Sequence, residues 1–185
     1  MLVLFRLAPL HTDSLIDRRD NNMPKDATST RSTILAAAVQ TLQRGGVEGF
    51  TLDAVARRAG VVKGLVLYHY ASRGRLLRAA ATQIDAARNG ALQRALASAP
   101  GAAGLEACWA ELRRQLEDGT TRAWLSLCAA GLVDRSVKTT DFEDAARDAI
   151  VDGAAIALAT GVPLAEARDA YDALWLSLLE VTAKA

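Results

Sequence analysis

Residues 52–70, LDAVARRAGVVKGLVLYHY, carry the signals that decide the fold of this chain. Thr51 stands directly before them and is a good N-cap, because its hydroxyl can accept a hydrogen bond from a backbone amide of the first turn. Gly60 stands where a helix ends in a residue of positive φ. The spacing therefore predicts a short helix that begins at Leu52 and ends at Ala59.

A second short helix is predicted after this bend. Val62, Val66 and Tyr70 recur at every fourth residue, which places them on one side of a helix and predicts that they pack against the first helix. Two short helices joined by a tight turn form the unit that inserts its second helix into the major groove of DNA. The same spacing also fits a helical corner inside an ordinary bundle.

Charge favours the DNA-binding interpretation. Residues 25–78 contain nine basic and three acidic residues, a net charge of +6, whereas residues 79–185 contain ten basic and fifteen acidic residues. A basic block joined to an acidic remainder is typical of a nucleic-acid-binding domain attached to a part that does not bind DNA. We therefore interpret residues 52–70 as a helix-turn-helix that reads DNA.

The run of residues 34–77 resembles the N-terminal domain of TetR-type (tetracycline-repressor-like) bacterial transcriptional regulators. It begins with Ile-x-x-Ala-Ala, continues with Thr-Leu and then Val-Ala-x-x-Ala-Gly-Val, and covers about a quarter of the chain. The resemblance implies an all-α fold with an N-terminal three-helix domain, containing the helix-turn-helix, and a C-terminal helical domain for ligand binding and dimerisation.

The resemblance also implies roles for individual residues. The Thr51 hydroxyl and amide would approach a phosphate, Lys63 would meet guanine or a phosphate, and Leu65 a thymine methyl group. His69 would either contact DNA or pack against the fourth helix, and Arg73 would contact the DNA backbone. Leu65 could read only a thymine methyl group or the shape of the DNA. The expected DNA-binding residues are Thr51, Lys63, Gly64, Leu65, Leu67, Tyr68, His69 and Arg73.

Three positions depart from the family pattern. Val62 replaces the usual serine or threonine N-cap of the recognition helix, which is expected to weaken the helix start by about 1 kcal/mol. Leu67 occupies the common tyrosine position, and Gly74 replaces the usual acidic residue. These departures put individual DNA contacts in question, but not the fold.

We expect three segments along the chain. Residues 1–24 are either a disordered arm or a misassigned start, residues 25–71 form the helix-turn-helix domain, and residues 72–185 form the helical regulatory and dimerisation domain. The first helix is expected to begin near residues 28–32 and to end at residues 45–46. Ser72 would cap a long fourth helix whose predicted inner residues are Leu76, Leu77, Ala80, Ile84, Ala87, Leu92 and Leu96.

Two tryptophans lie on apolar helix faces of the C-terminal part. Trp109 and Trp124 are expected in the core, and the alternative is that they form the wall of a ligand pocket. A pocket of this composition would bind a small molecule that is largely apolar. Its candidate residues are Ile84, Trp109, Leu112, Trp124 and Cys128.

The last helix carries more apolar surface than one small domain covers. By resemblance to the family, the last two helices form a four-helix bundle with their copies in a two-fold dimer. The alternative is that the last helix is an ordinary core helix. The candidate interface residues are Ala149, Gly153, Tyr171, Leu174, Trp175 and Leu178.

Taken together, these features predict a cytoplasmic, homodimeric transcriptional regulator, a ligand-relieved repressor that binds double-stranded palindromic operator DNA. An enzyme is not expected, because two histidines, two cysteines and no glycine-rich phosphate loop or metal-ligand spacing leave no catalytic constellation. No cofactor, metal or membrane contact is expected. The alternative is a helical interaction or ligand-binding protein whose DNA-binding face has degenerated.

Overall fold

The computed structural model describes residues 23–133 and 142–182, and the regular structure within these ranges is helical throughout. The expected all-α fold is therefore confirmed. Residues 1–22, most of the segment expected to be an arm, lie outside the described residues. The helices are α1 (Met23–Gly45), α2 (Leu52–Ala59), α3 (Lys63–Tyr70), α4 (Arg73–Leu96), α5 (Ala102–Glu117), α6 (Thr120–Ala129), α7 (Phe142–Ala159) and α8 (Leu164–Thr182).

Helix α1 begins earlier than the sequence indicated. It starts at Met23 rather than near residues 28–32, and Pro24 falls in its first turn, where a missing amide hydrogen costs nothing. It ends at Gly45 as predicted, and Gly46 follows with a φ of 60°. The bounds of α2 are those predicted from Thr51 and Gly60.

A first hydrophobic cluster joins α1, α2 and α3 to part of the C-terminal half. Ile34 and Leu42 of α1, Phe50 before α2 and Leu76 of α4 are fully buried in it. Trp124 of α6 packs into the same cluster. The core beneath the helix-turn-helix therefore continues into α4 and α6.

A second cluster lies at the other end of α4. It is built from Leu92, Cys108 and Leu112 together with α7, Tyr171 and Trp175. Helix α4 contributes to both clusters and thus runs through the whole fold. At about 1.5 Å per residue, its 24 residues span about 36 Å.

One predicted inner residue of α4 is wrong. Ala87 is exposed, and the neighbouring Arg88 is buried in its place. The inward stripe follows Ile84, Arg88 and Leu92 at intervals of four, which is the helical repeat. Arg88 is tolerated inside because its Nη2 donates to Asp152 Oδ1 at 2.8 Å and its guanidinium lies 3.8 Å from the ring centroid of Trp124.

The turn between α5 and α6 is seated directly on α1. Gly119 has a φ of 82°, and an added Cβ there would collide with the carbonyl oxygen of Gln43. The side-chain amide of Gln43 donates to Thr120 Oγ1 at 3.0 Å. A side chain at residue 119 would therefore push α6 away from α1. No helix among the described residues is long and apolar enough to cross a bilayer.

Candidate nucleic-acid interface

Local capping fixes both ends of α2. Thr51 is extended, and its Oγ1 accepts a hydrogen bond from the amide of Ala54 at 3.1 Å. At the other end Gly60 takes a φ of 68°, and the amide of Val61 donates to the carbonyl of Ala56 at 3.0 Å. This pairing closes the helix with a left-handed glycine and turns the chain sharply towards α3.

The recognition helix α3 is held from inside by two residues. Val66 is fully buried and Tyr70 nearly so, and both belong to the first hydrophobic cluster. The opposite side is open: Tyr68 is 80% exposed, Leu67 is 37% exposed, and an added Cβ at Gly64 would meet nothing within 4 Å. Lys63 is also exposed, whereas Leu65 and His69 are half-buried.

Val62 does not belong to the inward stripe, contrary to the prediction. It is the N-cap residue, extended at φ −74° and ψ 148°, and its side chain is 74% exposed. The four-residue repeat applies only within a helix, so it does not place a side chain that precedes the first turn. The expected absence of a side-chain cap is confirmed, since no side-chain hydrogen bond caps this helix.

The ammonium of Lys63 is paired with a carboxylate of the preceding helix. Its Nζ lies 2.9 Å from Asp53 Oδ2, and both side chains are more than half exposed. An exposed pair of this kind is worth at most about 1 kcal/mol, so it orients Lys63 more than it stabilises the fold. Asp53 was absent from the expected DNA-binding residues, although it lies on the same surface.

Arg31 of α1 binds the C-terminal end of the recognition helix. Its Nη1 donates to the carbonyl of His69 at 2.8 Å, and its guanidinium lies 4.4 Å from the ring centroid of Tyr70. Burial raises the pKa of Tyr70, and its neutral hydroxyl donates back to the carbonyl of Arg31 at 3.1 Å. A cation at a helix C-terminus is favourable, because the last carbonyls carry partial negative charge.

Arg73 ties the first turn of α4 to the loop before α2. Its Nε donates to the carbonyl of Phe50 at 2.8 Å, and its Nη2 donates to the carbonyl of Val47 at 3.2 Å. These contacts orient the side chain, and its phosphate contact stays a prediction. Arg58 is likewise engaged, with Nη1 donating to Thr41 Oγ1 at 2.7 Å. The other exposed basic residues of α2 and of the first half of α4 are Arg57, Arg75 and Arg78.

The candidate pocket residues do not converge on one place. Ile84 and Trp124 are buried in the first cluster, against which Cys128 packs. Trp109 and Leu112 are buried in the second cluster, and the Trp109 ring lies 5.2 Å from that of Tyr171. The set is divided because the two tryptophans face opposite ends of α4, so a pocket formed by all five stays a prediction without structural support.

Cys108 lies inside the second cluster and is poorly suited to redox sensing. Burial raises the pKa of its thiol, and the reactive form of cysteine is the thiolate. Within residues 23–133 and 142–182, no group of three or more histidine, cysteine or acidic side chains is placed to hold a metal ion.

The candidate dimer residues are also divided. Tyr171 and Trp175 are buried in the second cluster of the chain itself, so their side chains are not available to a second copy. Ala149, Gly153 and Leu174 are exposed, and Leu178 is half-buried. Tyr171, Leu174, Trp175 and Leu178 share the broad apolar stripe predicted for α8, and packing within the second cluster uses part of that stripe.

Three comparisons agree with this geometry. Residues 34–80 match the family described as "Bacterial regulatory proteins, tetR family". The chain is similar to two proteins of Pseudomonas putida, the HTH-type transcriptional regulator SrpR and the uncharacterized HTH-type transcriptional regulator TtgW. It is 39% identical to each over 54 residues, which are 29% of this chain but only 25% of SrpR and 40% of TtgW.

The fold has a counterpart among solved structures. A gamma-butyrolactone receptor (ArpA like protein) superposes with a TM-score of 0.52 at 23% identity, covering 84% of this chain and 88% of that one. At this identity the likeness concerns the fold alone. The resemblance to TetR-type regulators, and the DNA-binding class of the N-terminal domain, are confirmed by the family match and the two relatives.

Proposed function

We propose, from the premise that residues 34–80 are a TetR-family DNA-binding domain, that the chain is a homodimeric repressor released from its operator by a small molecule. The observation that carries this proposal is the surface of α3. The helix is anchored from behind by Val66, Tyr70 and Arg31, while Lys63, Gly64 and Tyr68 face outward. A rigidly held helix with an open outer side is suited to entering a major groove.

Charge around this surface supports binding to phosphates. Arg57, Arg75 and Arg78 are exposed on the helices that flank α3, and Thr51 presents the N-terminus of α2. The dipole and free amides of a helix N-terminus favour an anion. Phosphate contacts orient the domain on DNA but do not recognise its sequence. Sequence recognition is the proposed role of α3.

The surface of α8 supports a dimer. Among the described residues nine large hydrophobic side chains are exposed, and five of them lie on α8: Leu164, Leu174, Leu176, Leu179 and Val181. Leu174, Leu178 and Val181 follow one another at spacings of four and three, which forms a ridge along the helix. Removing such a patch from water is favourable by roughly 25 cal/mol per Å² of apolar area. In the proposed dimer, α7 and α8 of a second copy cover the patch.

A two-fold dimer would place its two α3 helices in successive major grooves, with centres about 34–36 Å apart or a multiple of this. Because α4 belongs to both hydrophobic clusters, a tilt at its second cluster would displace its DNA-binding end. An effector relieves repression only if it binds the tilted state more tightly than the DNA-bound one. The proposed effector is largely apolar, since the second cluster is built from apolar and aromatic side chains.

A second function is favoured by two features at the start of α3. Val62 provides no side-chain cap for α3, and Lys63 is already paired with Asp53. A helical interaction or ligand-binding protein whose DNA-binding face has degenerated would tolerate both features. Such a protein would also keep the apolar patch on α8.

Fluorescence anisotropy distinguishes the two functions. The full chain is titrated against a labelled duplex from the region upstream of its own gene, with and without unlabelled competitor of unrelated sequence, at low and moderate salt. Repression predicts saturable binding that the competitor does not match, with log affinity falling linearly in log salt. Binding to every duplex alike, or to none at low salt, would favour the second function.

A further inference from the structure

The outward surface at the start of α3 is almost without hydrogen-bonding groups. Val62 offers only an isopropyl group, Gly64 offers no side chain, and Leu67 offers an isobutyl group. All three are exposed, Val62 by 74% and Leu67 by 37%. These three residues cannot read the donor and acceptor pattern of base edges by side-chain hydrogen bonds.

Lys63 is the one cation in this part of α3, and its ammonium is already engaged. It is 2.9 Å from Asp53 Oδ2, which stands in the first turn of α2 on the same side of the domain. Moving Lys63 to a guanine would leave the Asp53 carboxylate unpaired beside DNA phosphates, and like charges repel. The pair therefore weakens Lys63 as a reader of guanine.

Val62 is an unfavourable choice for the folded protein by itself. It leaves the N-terminus of α3 uncapped and exposes a large apolar side chain to water. Residues that break a local rule without a compensating contact in the fold are expected at functional sites. The compensation is available on DNA, because the N-terminal residues of a recognition helix contact base edges.

The major groove offers one apolar group, the 5-methyl group of thymine. Resting on the proposed function, we propose that Val62 is a specificity-determining residue that packs against a thymine methyl in each half-site of the operator. The flanking Arg57 and Arg75 bring the phosphates close, and the apolar side chain then selects thymine. Thymine is recognised by methyl contact, while the ion pair with Asp53 reduces the part that Lys63 plays in base recognition.

Deoxyuridine tests this contact directly, because it differs from thymidine only in lacking the 5-methyl group. A random duplex library is first selected with the full chain, and the enriched duplex is then remade with each thymine replaced singly by deoxyuridine. Loss of one buried methyl contact is expected to weaken binding about fourfold at one thymine in each half-site, and deoxyuridine elsewhere has little effect.

The variant Val62→Ala removes the same contact from the protein side. It is expected to bind the thymine and deoxyuridine duplexes equally at that position. Val162→Ala is the matched control, since Val162 is an exposed valine in the turn between α7 and α8. Val162→Ala should bind the deoxyuridine duplex more weakly than the thymine duplex by the same factor as the parent protein does. Val62→Thr keeps one methyl group and gains a capping hydroxyl, so it should retain part of the discrimination even if the alanine variant is less stable.

The outcomes separate this inference from the proposed function. Enrichment of a sequence with no deoxyuridine effect at any thymine, or with an unchanged effect in Val62→Ala, would overturn the methyl readout and leave the regulator intact. Failure to enrich any sequence would overturn both. A deoxyuridine loss that disappears in Val62→Ala but persists in Val162→Ala would establish Val62 as the reader.

Discussion

The guanidinium of Arg31 donates to the backbone carbonyl of His69 at 2.8 Å, which links α1 to the last turn of the recognition helix across 38 residues of sequence. The hydroxyl of Tyr70 donates a hydrogen bond to the backbone carbonyl of Arg31 at 3.1 Å. The two bonds fix the C-terminal end of α3 on α1. Arg31 is therefore a positioning residue for α3, the helix proposed to read DNA.

Replacing Arg31 by alanine is expected to lower the free energy of unfolding by about 1 kcal/mol, because an exposed carbonyl at a helix end loses a charged donor. DNA affinity should fall further than in Arg44→Ala, which removes an equal charge from an exposed position of the same helix. Denaturant unfolding and anisotropy measure the two quantities. Equal losses of affinity in both variants would mean that Arg31 acts only through its charge.

Gly64→Ala is expected to separate stability from DNA binding. An added Cβ has open space around it, and alanine favours a helix over glycine by up to about 1 kcal/mol. The free energy of unfolding should therefore rise, while affinity for operator DNA should fall because the methyl group enters the space of the groove. Gly60→Ala is the contrast: its φ of 68° makes alanine strained, so stability should fall. Gly64→Ala with unchanged affinity would remove this residue from the interface.

For the pair Arg88 and Asp152, we expect the effects of substitutions on the free energy of unfolding to be non-additive. Arg88 is 2% exposed, so Asp152→Ala leaves a buried charge without its carboxylate and is expected to cost about 3 kcal/mol of unfolding free energy. The double variant Arg88→Met with Asp152→Ala should be more stable than Asp152→Ala alone, because the buried charge is gone. A double variant that is less stable than the single one would contradict this account of the pair.

Asp148 predicts a pH dependence of stability. Partial burial raises the pKa of its carboxyl above the ordinary 3.8, and the neighbouring Asp152 and Asp144 raise it further. The folded protein thus binds this proton more tightly than the unfolded chain does, so stability is lost as pH rises from about 3.8 through the native pKa. Asp148→Asn should be more stable than the parent at pH 7, by an amount that shrinks towards pH 4. Because the side chain is largely exposed, the gain is small.

The proposed dimer is tested on α8. Leu174→Glu places a charge on the ridge formed with Leu178 and Val181, and it is expected to give a monomer in light scattering coupled to size exclusion. Leu176→Glu is the matched control, because Leu176 is 62% exposed and lies off that ridge. A parent protein that is itself monomeric at micromolar concentration would contradict the dimer. Dissociation by the Leu176 variant alone would place the interface on another side of α8.

Local sequence signals predict the bounds of the helix-turn-helix closely. Thr51 and Gly60 determine the two ends of α2 through hydrogen bonds within a few residues, and such contacts are visible in sequence. Val62 was misplaced because a helical repeat was extended beyond the helix start. The repeat describes residues inside a helix, and the N-cap has extended backbone angles.

The remaining features depend on contacts between distant residues. The buried Arg88 depends on the carboxylate of Asp152, 64 residues away, and on the ring of Trp124, and the local sequence does not indicate either contact. The hydrogen bond from Arg31 to the His69 carbonyl likewise joins residues that are far apart in the sequence. The sequence predicts the apolar stripe of α8, but the part of it that packs inside the chain depends on the approach of α5 and α7.

Hydroxyl-radical footprinting on the selected duplex tests the central claim most directly. Two α3 helices related by a two-fold axis predict two protected patches on one face of the duplex, with centres about 10 base pairs apart or a multiple, and both patches should weaken together in Arg31→Ala. A single patch, or uniform protection along the duplex, would contradict a symmetric dimer that reads an operator through α3.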